Sequence, residues 1–352
     1  MHMSKIRMGV IGVNQIAARH IEGILKSPDG ELIALCDINK DQLHKKAKEY
    51  GIPDAYCFTN HEDLLRCADV DAVSICTPND AHHSIALAAI RHNKPFALEK
   101  PVTLSANESA DLLDKVVESQ IKHMVCFSYR FIPAARYLRS VIQSGHLGTI
   151  RHVNVKYFQG WARNPDVPLV WRFRKEVTGS GVLGDLGSHM IDMVRFLVGD
   201  IEKVCAHTGT FIKERKIPGS EQTGAVDVDD FCNFIGELKG GIPISFETTR
   251  YAFGRSNYQH VEIYGDKGGV IYDLANDTDT AQLCIGDTYS SVSDYHAVKV
   301  PASFSGNQMQ SFFDILNGKS DGLPAGLADG HYVQTVLDAV IRSAEIRQWI
   351  DV

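Results

Sequence analysis

The sequence predicts an α/β protein with two sheets of different kind. Three observations carry that reading. From Arg7 to Tyr129, short apolar runs alternate with helical repeats, the pattern of a parallel sheet with helices on both faces. A glycine-bearing turn, "GVIGVNQIAARH" (Gly9–His20), joins the first run to the first helical repeat. After Tyr129 long alternating runs follow one another with Gly and Asp between them, as in antiparallel strands with one open face. The expected fold is therefore an N-terminal doubly wound parallel sheet of the Rossmann type, residues 1–127. A C-terminal α+β domain, residues 128–352, carries a large, mostly antiparallel, open-faced sheet.

Each element has a local reason. "RMGVIG" is an apolar strand, and in "QIAARHIEGILKS" Ile16, Ala17, His20, Ile21, Ile24 and Leu25 recur at helical spacing. "ELIALCD", "AYCF", "DAVSICTP", "PFALEKP" and "HMVCFSY" are the further strands of the first sheet. Between them lie the helices "KDQLHKKAKEYG", "DAHHSIALAAIRHN" and "SANESADLLDKVVES", the last opened by a Ser105/Glu108 capping box. In the second domain the helix "PAARYLRSVIQSG" precedes "TIRHVNVKYFQG", a long alternating run. A glycine-rich segment and "HMIDMVRFLVG" come next, and then "EKVCAHTGTFI", "DDFCNFIGEL", "GIPISFETTR", "HVEIYG", "GGVIYDL" and "AQLCIG" as strands. "KERKIPGSEQTGAVDVDD" reads as a loop, and two helical segments close the chain.

Composition excludes several classes. The chain has 352 residues, 44% hydrophobic and 22% charged, with a net charge of −7 and no basic run, which argues against nucleic acid as a partner. There is no signal-peptide layout and no apolar stretch of membrane-spanning length. The eight cysteines form no C-x-x-C pair, so they are expected as reduced thiols in a cytoplasmic protein.

The turn at Gly12 is an incomplete dinucleotide fingerprint. G-x-G-x-x-G/A maps onto Gly12, Asn14 and Ala17, with Asn14 where the backbone should approach a pyrophosphate. Asn14 tolerates positive φ and can offer its amide, and Gln15 and Ile16 open the helix whose free N–H groups suit phosphate. Asp37 closes the second strand 25 residues after Gly12, near the position of the acid that binds ribose hydroxyls. Its charge would repel a 2′-phosphate, so NAD is expected rather than NADP. Cys76, Thr77, Pro78 and Asn79 end the fourth strand, with His82 beyond them, at the sheet edge where the nicotinamide half belongs. Glu99 and Lys100 end the fifth strand, before Pro101.

A second cluster lies in "GSGVLGDLGSHMIDMVRF". Asp185 and His189 stand four apart on one helical face. Gly179, Gly181, Gly184 and Gly187 crowd the same turn, which suggests close approach of a ligand to the backbone. No third ligand has a spacing to match, so no metal is expected. Trp161, Arg163, Trp171 and Arg172 precede this turn, and Tyr129 and Arg130 end the sixth strand. Aromatic rings and charged donors of this kind suit a sugar or cyclitol, although core packing accounts for the tryptophans equally well.

These segments together resemble the glucose–fructose oxidoreductase/inositol dehydrogenase/MocA (Gfo/Idh/MocA) family over nearly the whole chain. The resemblance rests on "GVIGVNQIA", "SICTPNDAHH", "ALEKPVTLS", "YRFIPAARYLRSVI", "WRFRKEVTGSGVLGDLGSHMIDMVRFLVG" and "EIYGDKGGVIYDL". It implies an NAD-binding first domain, a second domain for substrate and oligomerisation, and dimers or tetramers formed through the open sheet. It maps the family's catalytic lysine, aspartate and histidine onto Lys100, Asp185 and His189, with Asn14 as a departure from the pattern. The implied reaction is oxidation of a secondary ring hydroxyl of a sugar, glycoside or cyclitol to a ketone. Three alternatives stay open at this point: a keto-sugar reductase, an enzyme cycling a tightly held NAD without net redox change, and a non-catalytic NAD-binding regulator.

Overall fold

The computed structural model describes residues 5–274, 277–286 and 294–352. The chain divides into two compact units, residues 1–127 with 307–334, and residues 128–306 with 335–352.

The first unit runs β1 (Ile6–Ile11), α1 (Gln15–Lys26), β2 (Gly30–Cys36), α2 (Lys40–Tyr50), β3 (Cys57–Phe58), α3 (His61–Arg66), β4 (Ala72–Ile75), α4 (His82–Arg91), β5 (Phe96–Leu98), α5 (Ala106–Ser119) and β6 (His123–Val125). Its six strands lie in the order β3-β2-β1-β4-β5-β6, and every pair is parallel. The order reverses between β1 and β4, the switch point at which such sheets open a crevice. Helix α1 buries Ala17, His20, Ile21 and Ile24 along one stripe, while Ile16 is half-buried and Leu25 is exposed, so the helical spacing holds for four of the six residues read into it. Ser105 Oγ accepts from the Glu108 amide at 3.3 Å. Glu108 answers to the Leu104 amide instead of that of Ser105, which sets the capping box one residue wider than expected. Helix α3 was not legible, because six residues are too few to show a period.

The second unit contains α6 (Pro133–Gln143), β7 (Ile150–Phe158), α7 (Lys175–Thr178), a π-helical turn (Leu183–Gly187), α8 (Ser188–Leu197), β8 (Ile201–Gly209), β9 (Glu214–Lys216), β10 (Thr223–Ala225), β11 (Phe231–Leu238), β12 (Ile242–Thr249), β13 (Tyr258–Gly265), β14 (Gly268–Asp273), β15 (Thr280–Ile285) and β16 (His296–Lys299). After these come α9 (Gln308–Leu316), α10 (Leu327–Ile346) and β17 (Ile350–Asp351). The large sheet has nine strands in the order β16-β15-β14-β13-β7-β12-β11-β8-β17. Its ladders are antiparallel except β7 with β12, which is parallel. Along β7, Val153, Val155 and Tyr157 are buried in alternation, and α8 is buried nearly all round. The segment read as a loop holds the small hairpin β9–β10. Its three-residue strands are too short for alternation to show. It is anchored by the buried guanidinium of Arg215, which donates to the carbonyls of Asn164 and Val167.

One boundary differs from the sequence reading. Residues 307–334 pack in the first unit, not in the second. Phe313 fills the space above Gly30, Met309 that above Gly23, and the Val125 amide donates to Ala325 O at 2.8 Å. An amphipathic pattern states that a helix has a buried face, but not which core receives it. No described helix is long and apolar enough to cross a membrane, and all eight cysteines are free thiols.

Phe313→Ala should destabilise the first unit by about 3–5 kcal/mol, since a fully buried aromatic leaves a cavity. Denaturant unfolding with a probe in that unit reads the change.

Candidate active site

In the first unit the expected cofactor residues gather at the carboxyl ends of β1, β2, β4 and β5. Gly12 has φ +85°, and a Cβ there would lie 2.7 Å from Cys76 O. Only glycine permits β1 and β4 to approach so closely. Asn14 does not use positive φ. Its backbone is extended at φ −73°, where it caps α1 through its carbonyl, and its exposed side chain makes no capping bond. Gln15 is exposed and Ile16 half-buried in the same first turn, where helix amides have no partner within the helix. Asp37 accepts from the Val13 amide at 2.9 Å and the Asn39 amide at 2.8 Å. The acid thus ties the turn after β1 to the turn after β2, and each oxygen keeps a second acceptor position.

Thr77 and Pro78 are half-buried and Asn79 is buried at the end of β4. Thr77 Oγ1 is buried without a hydrogen-bond partner. An orphaned hydroxyl beside a glycine cradle and a helix start fits a dinucleotide laid across this edge.

Three expectations change here. His82 does not face a crevice. It is buried, with Nδ1 2.8 Å from Pro101 O and Nε2 2.9 Å from Thr77 O. Burial lowers its pKa against the pull of those carbonyls. Glu99 is also buried, with Oε1 2.8 Å from His20 Nε2. The Cys76 side chain is buried as well, so what it presents toward Gly12 is its backbone carbonyl. Donor atoms of His20, Glu99 and Cys126 lie within 4.8 Å of one another. The direct His20–Glu99 hydrogen bond already satisfies that cluster without an ion.

In the second unit, the π turn carries Asp185, and His189 stands at the start of α8. π turns recur at functional sites because they re-aim side chains. The turn is held from behind by Asp229, whose Oδ1 accepts from the Gly181 amide at 2.6 Å and Oδ2 from the Leu183 amide at 2.8 Å. Burial raises the Asp229 pKa, and those two amides offset it only in part. A Cβ at Gly181 would overlap the Asp229 carbonyl. That glycine is required by the chain's own backbone and not by a ligand, a correction to the sequence reading.

The His189 ring meets Tyr129 edge-on, with centroids 4.6 Å apart. Tyr129 donates to Tyr157 Oη at 2.9 Å, and Tyr157 to Asn257 Oδ1 at 2.6 Å. Gln159 Nε2 donates to the same oxygen at 3.2 Å. Burial and the Tyr129 hydroxyl push the Tyr157 pKa up, so the Tyr157 hydroxyl stays protonated. Sequence reasoning missed Tyr157, Gln159 and Asn257. The β alternation of "HVNVKYF" did place Tyr157 on the buried face, but Asn257 is brought in by a ladder 100 residues away.

The remaining candidates separate. Arg172 Nε lies 3.8 Å from Asp185 Oδ2, and its guanidinium stacks on Trp171. Trp161 packs on the cluster of Ala162, Leu169, Phe173, Val226 and Val228, as a core residue does. Arg163 is exposed over the Phe253 ring. Arg130 is not available to a ligand. It is buried and forms a two-point ion pair with Asp192, at 2.8 and 2.6 Å. Helix α8 places Asp192 in the interior, and a buried charge demands a partner.

Comparison with known proteins agrees with this architecture. The family model described as "Oxidoreductase family, NAD-binding Rossmann fold" matches residues 6–127. The Gfo/Idh/MocA C-terminal domain model matches residues 135–271. The chain is 30% identical to levoglucosan dehydrogenase of Pseudarthrobacter phenanthrenivorans, over 90% of this chain and 88% of that protein. The chain belongs to the Gfo/Idh/MocA family of oxidoreductases. Another relative in the family is inositol 2-dehydrogenase of Rhizobium meliloti, 27% identical over 97% of this chain and 98% of that protein. Among solved structures, levoglucosan dehydrogenase in complex with NADH superposes with a TM-score of 0.91 at 29% identity, covering 99% of both chains.

Asp192→Ala should cost about 3–5 kcal/mol of stability, because it removes the carboxylate that faces the buried Arg130 guanidinium. Urea unfolding measures it.

Proposed function

We propose that this protein is an NAD-dependent dehydrogenase that oxidises a secondary ring hydroxyl of a sugar, glycoside or cyclitol to a ketone. The observation that carries the reading is the π turn followed by α8. It carries an imidazole, His189, packed edge-on against Tyr129, and a carboxylate, Asp185, 3.8 Å from Arg172. Dehydrogenase relatives that act on levoglucosan and inositol support the substrate class. The preference for NAD over NADP rests on Asp37, a carboxylate already fixed at the end of β2, where a 2′-phosphate would meet like charge.

The bound nicotinamide supplies the hydride acceptor. Asn14, Gln15, Ile16 and Gly12 would hold the phosphates, Asp37 the ribose, and Thr77, Pro78 and Asn79 the nicotinamide half. His189 takes the hydroxyl proton, since an imidazole titrates near neutrality and suits a general base. The Lys100 ammonium donates to the same oxygen and stabilises negative charge as it develops. Asp185, steadied by Arg172, accepts from a neighbouring hydroxyl of the ring. Trp171 offers an apolar face beside it. We assign the protein to the cytoplasm, where its eight free thiols would stay reduced, and to a homo-oligomer formed through the open face of the nine-stranded sheet.

The test is absorbance of reduced nicotinamide with NAD+ or NADP+ and a panel of levoglucosan, myo-inositol, glucose and methyl glucoside. One of these should reduce NAD+ in preference to NADP+. Lys100→Met and His189→Asn should each lower kcat by about 100-fold or more, with the NAD+ dissociation constant within a few-fold of wild type. Full turnover in both variants rejects the assignment.

A further inference from the structure

Lys100 is flanked by two buried clamps that neither fold nor fingerprint requires. On one side, Glu99 Oε2 accepts from the Lys100 amide at 3.2 Å, while Oε1 is held by His20 Nε2 at 2.8 Å. His20 Nδ1 lies 2.6 Å from Ser74 Oγ, which lies 3.7 Å from Cys76 Sγ. On the other side, His82 bridges Pro101 O and Thr77 O. His20 and His82 are each 1% exposed and Glu99 is 6% exposed, so none of the three side chains is free to serve as a ligand. Through these bonds the turn that carries Lys100 is tied to α1 by His20 and to the end of β4 by His82.

The charges are consistent with a rigid clamp. Burial opposes a charged His20, but Cys76 and Glu99 raise its pKa to about 10. Burial likewise opposes a charged Glu99, and the hydrogen bond and charge of His20 lower its pKa, with help from Lys100. The other titratable groups facing the pair are Cys76, Cys126 and His82. The Cys126 thiol is pushed up by burial and the His82 imidazole down, so both stay neutral. An imidazolium at position 20 donates from both nitrogens, to Glu99 and to Ser74, and leaves the Ser74 hydroxyl to donate to Cys76.

We propose that His20, Glu99 and His82 are positioning residues for Lys100, a pair of buried clamps that fix the Glu99-Lys100-Pro101 turn from both sides. A displacement of about 1 Å at such a group costs roughly 100-fold in rate, so a turn exposed to solvent motion would forfeit much of what the lysine contributes. The clamp itself does not depend on the proposed reaction. Only the consequence for turnover rests on the dehydrogenase reading.

The experiment compares wild type with Glu99→Gln and Ser74→Ala in the full chain. Histidine-selective 15N NMR should show His20 doubly protonated up to about pH 9 in wild type and titrating at least one unit lower in Glu99→Gln. Amide hydrogen exchange over residues 99–102 should be about tenfold faster in Glu99→Gln, and less so in Ser74→Ala, with exchange in the remaining strands of the sheet unchanged. With the oxidised sugar, Glu99→Gln should lower kcat about tenfold or more while KM and the NAD+ dissociation constant stay within threefold. A His20 titration that is the same in wild type and in Glu99→Gln overturns the proposal. So does exchange at residues 99–102 that is unchanged, or that rises only in step with the whole unit. Should Glu99→Gln not fold, Ser74→Ala decides, since unchanged exchange there also overturns it. If no sugar in the panel is oxidised, the dehydrogenase reading fails while the NMR and exchange measurements still decide the clamp.

Discussion

A carboxylate taken out of water loses several kcal/mol of solvation unless protein groups replace it. In this chain several turns and side chains are fixed by an acid largely withdrawn from water. Asp37 holds the turn after β1 to the turn after β2. Glu99 holds the amide of Lys100 and is itself held by His20. Asp229 holds the start of the π turn, Asp192 holds Arg130, and Asp230 holds Arg250 at 2.8 Å. Removing one partner leaves the other buried without compensation, so each acid and the groups that match it stabilise the fold together. Rigidity where chemistry needs it follows from that.

The same constraint separates half-open side chains from the buried groups that hold the backbone behind them. His189, Asp185, Arg172 and Tyr129 are half-buried, with part of each surface open. Behind them stand Asp229, Arg130–Asp192 and the Tyr157–Asn257 bond, all turned inward. Sequence motifs mix the two groups freely: Arg130 adjoins Tyr129, and Glu99 adjoins Lys100. Adjacent residues take opposite roles because neighbouring side chains leave the backbone in different directions.

The misreadings have a common cause. Arg130, after the sixth strand, and His82, at the start of the helix after the fourth, stand where polar residues usually face the crevice. Each was instead captured by a group far along the chain, Asp192 in one case and the carbonyls of Thr77 and Pro101 in the other. Asn14 was credited with positive φ, yet the backbone there is extended and Gly12 alone carries the left-handed strain. Gly181 was assigned to a ligand, and the Asp229 carbonyl occupies that space. Local propensity and motif spacing carry no information about which distant group will claim a polar side chain.

The sequence by itself determined what depends on near neighbours. Strand–helix alternation set the doubly wound sheet, the later β alternation set the large one, and the places of Gly12 in a turn and of Asp37 and Lys100 after strand ends were legible because turns and strand ends have local chemistry. Tertiary structure alone decided that residues 307–334 join the first unit, that β7 and β12 run parallel, and that Asp185 sits in a π turn rather than an α-helix. It also decided which acids are buried and by whom they are matched. Those outcomes are settled by competition among surfaces and charges brought together from distant parts of the chain, a competition that no window of neighbouring residues contains.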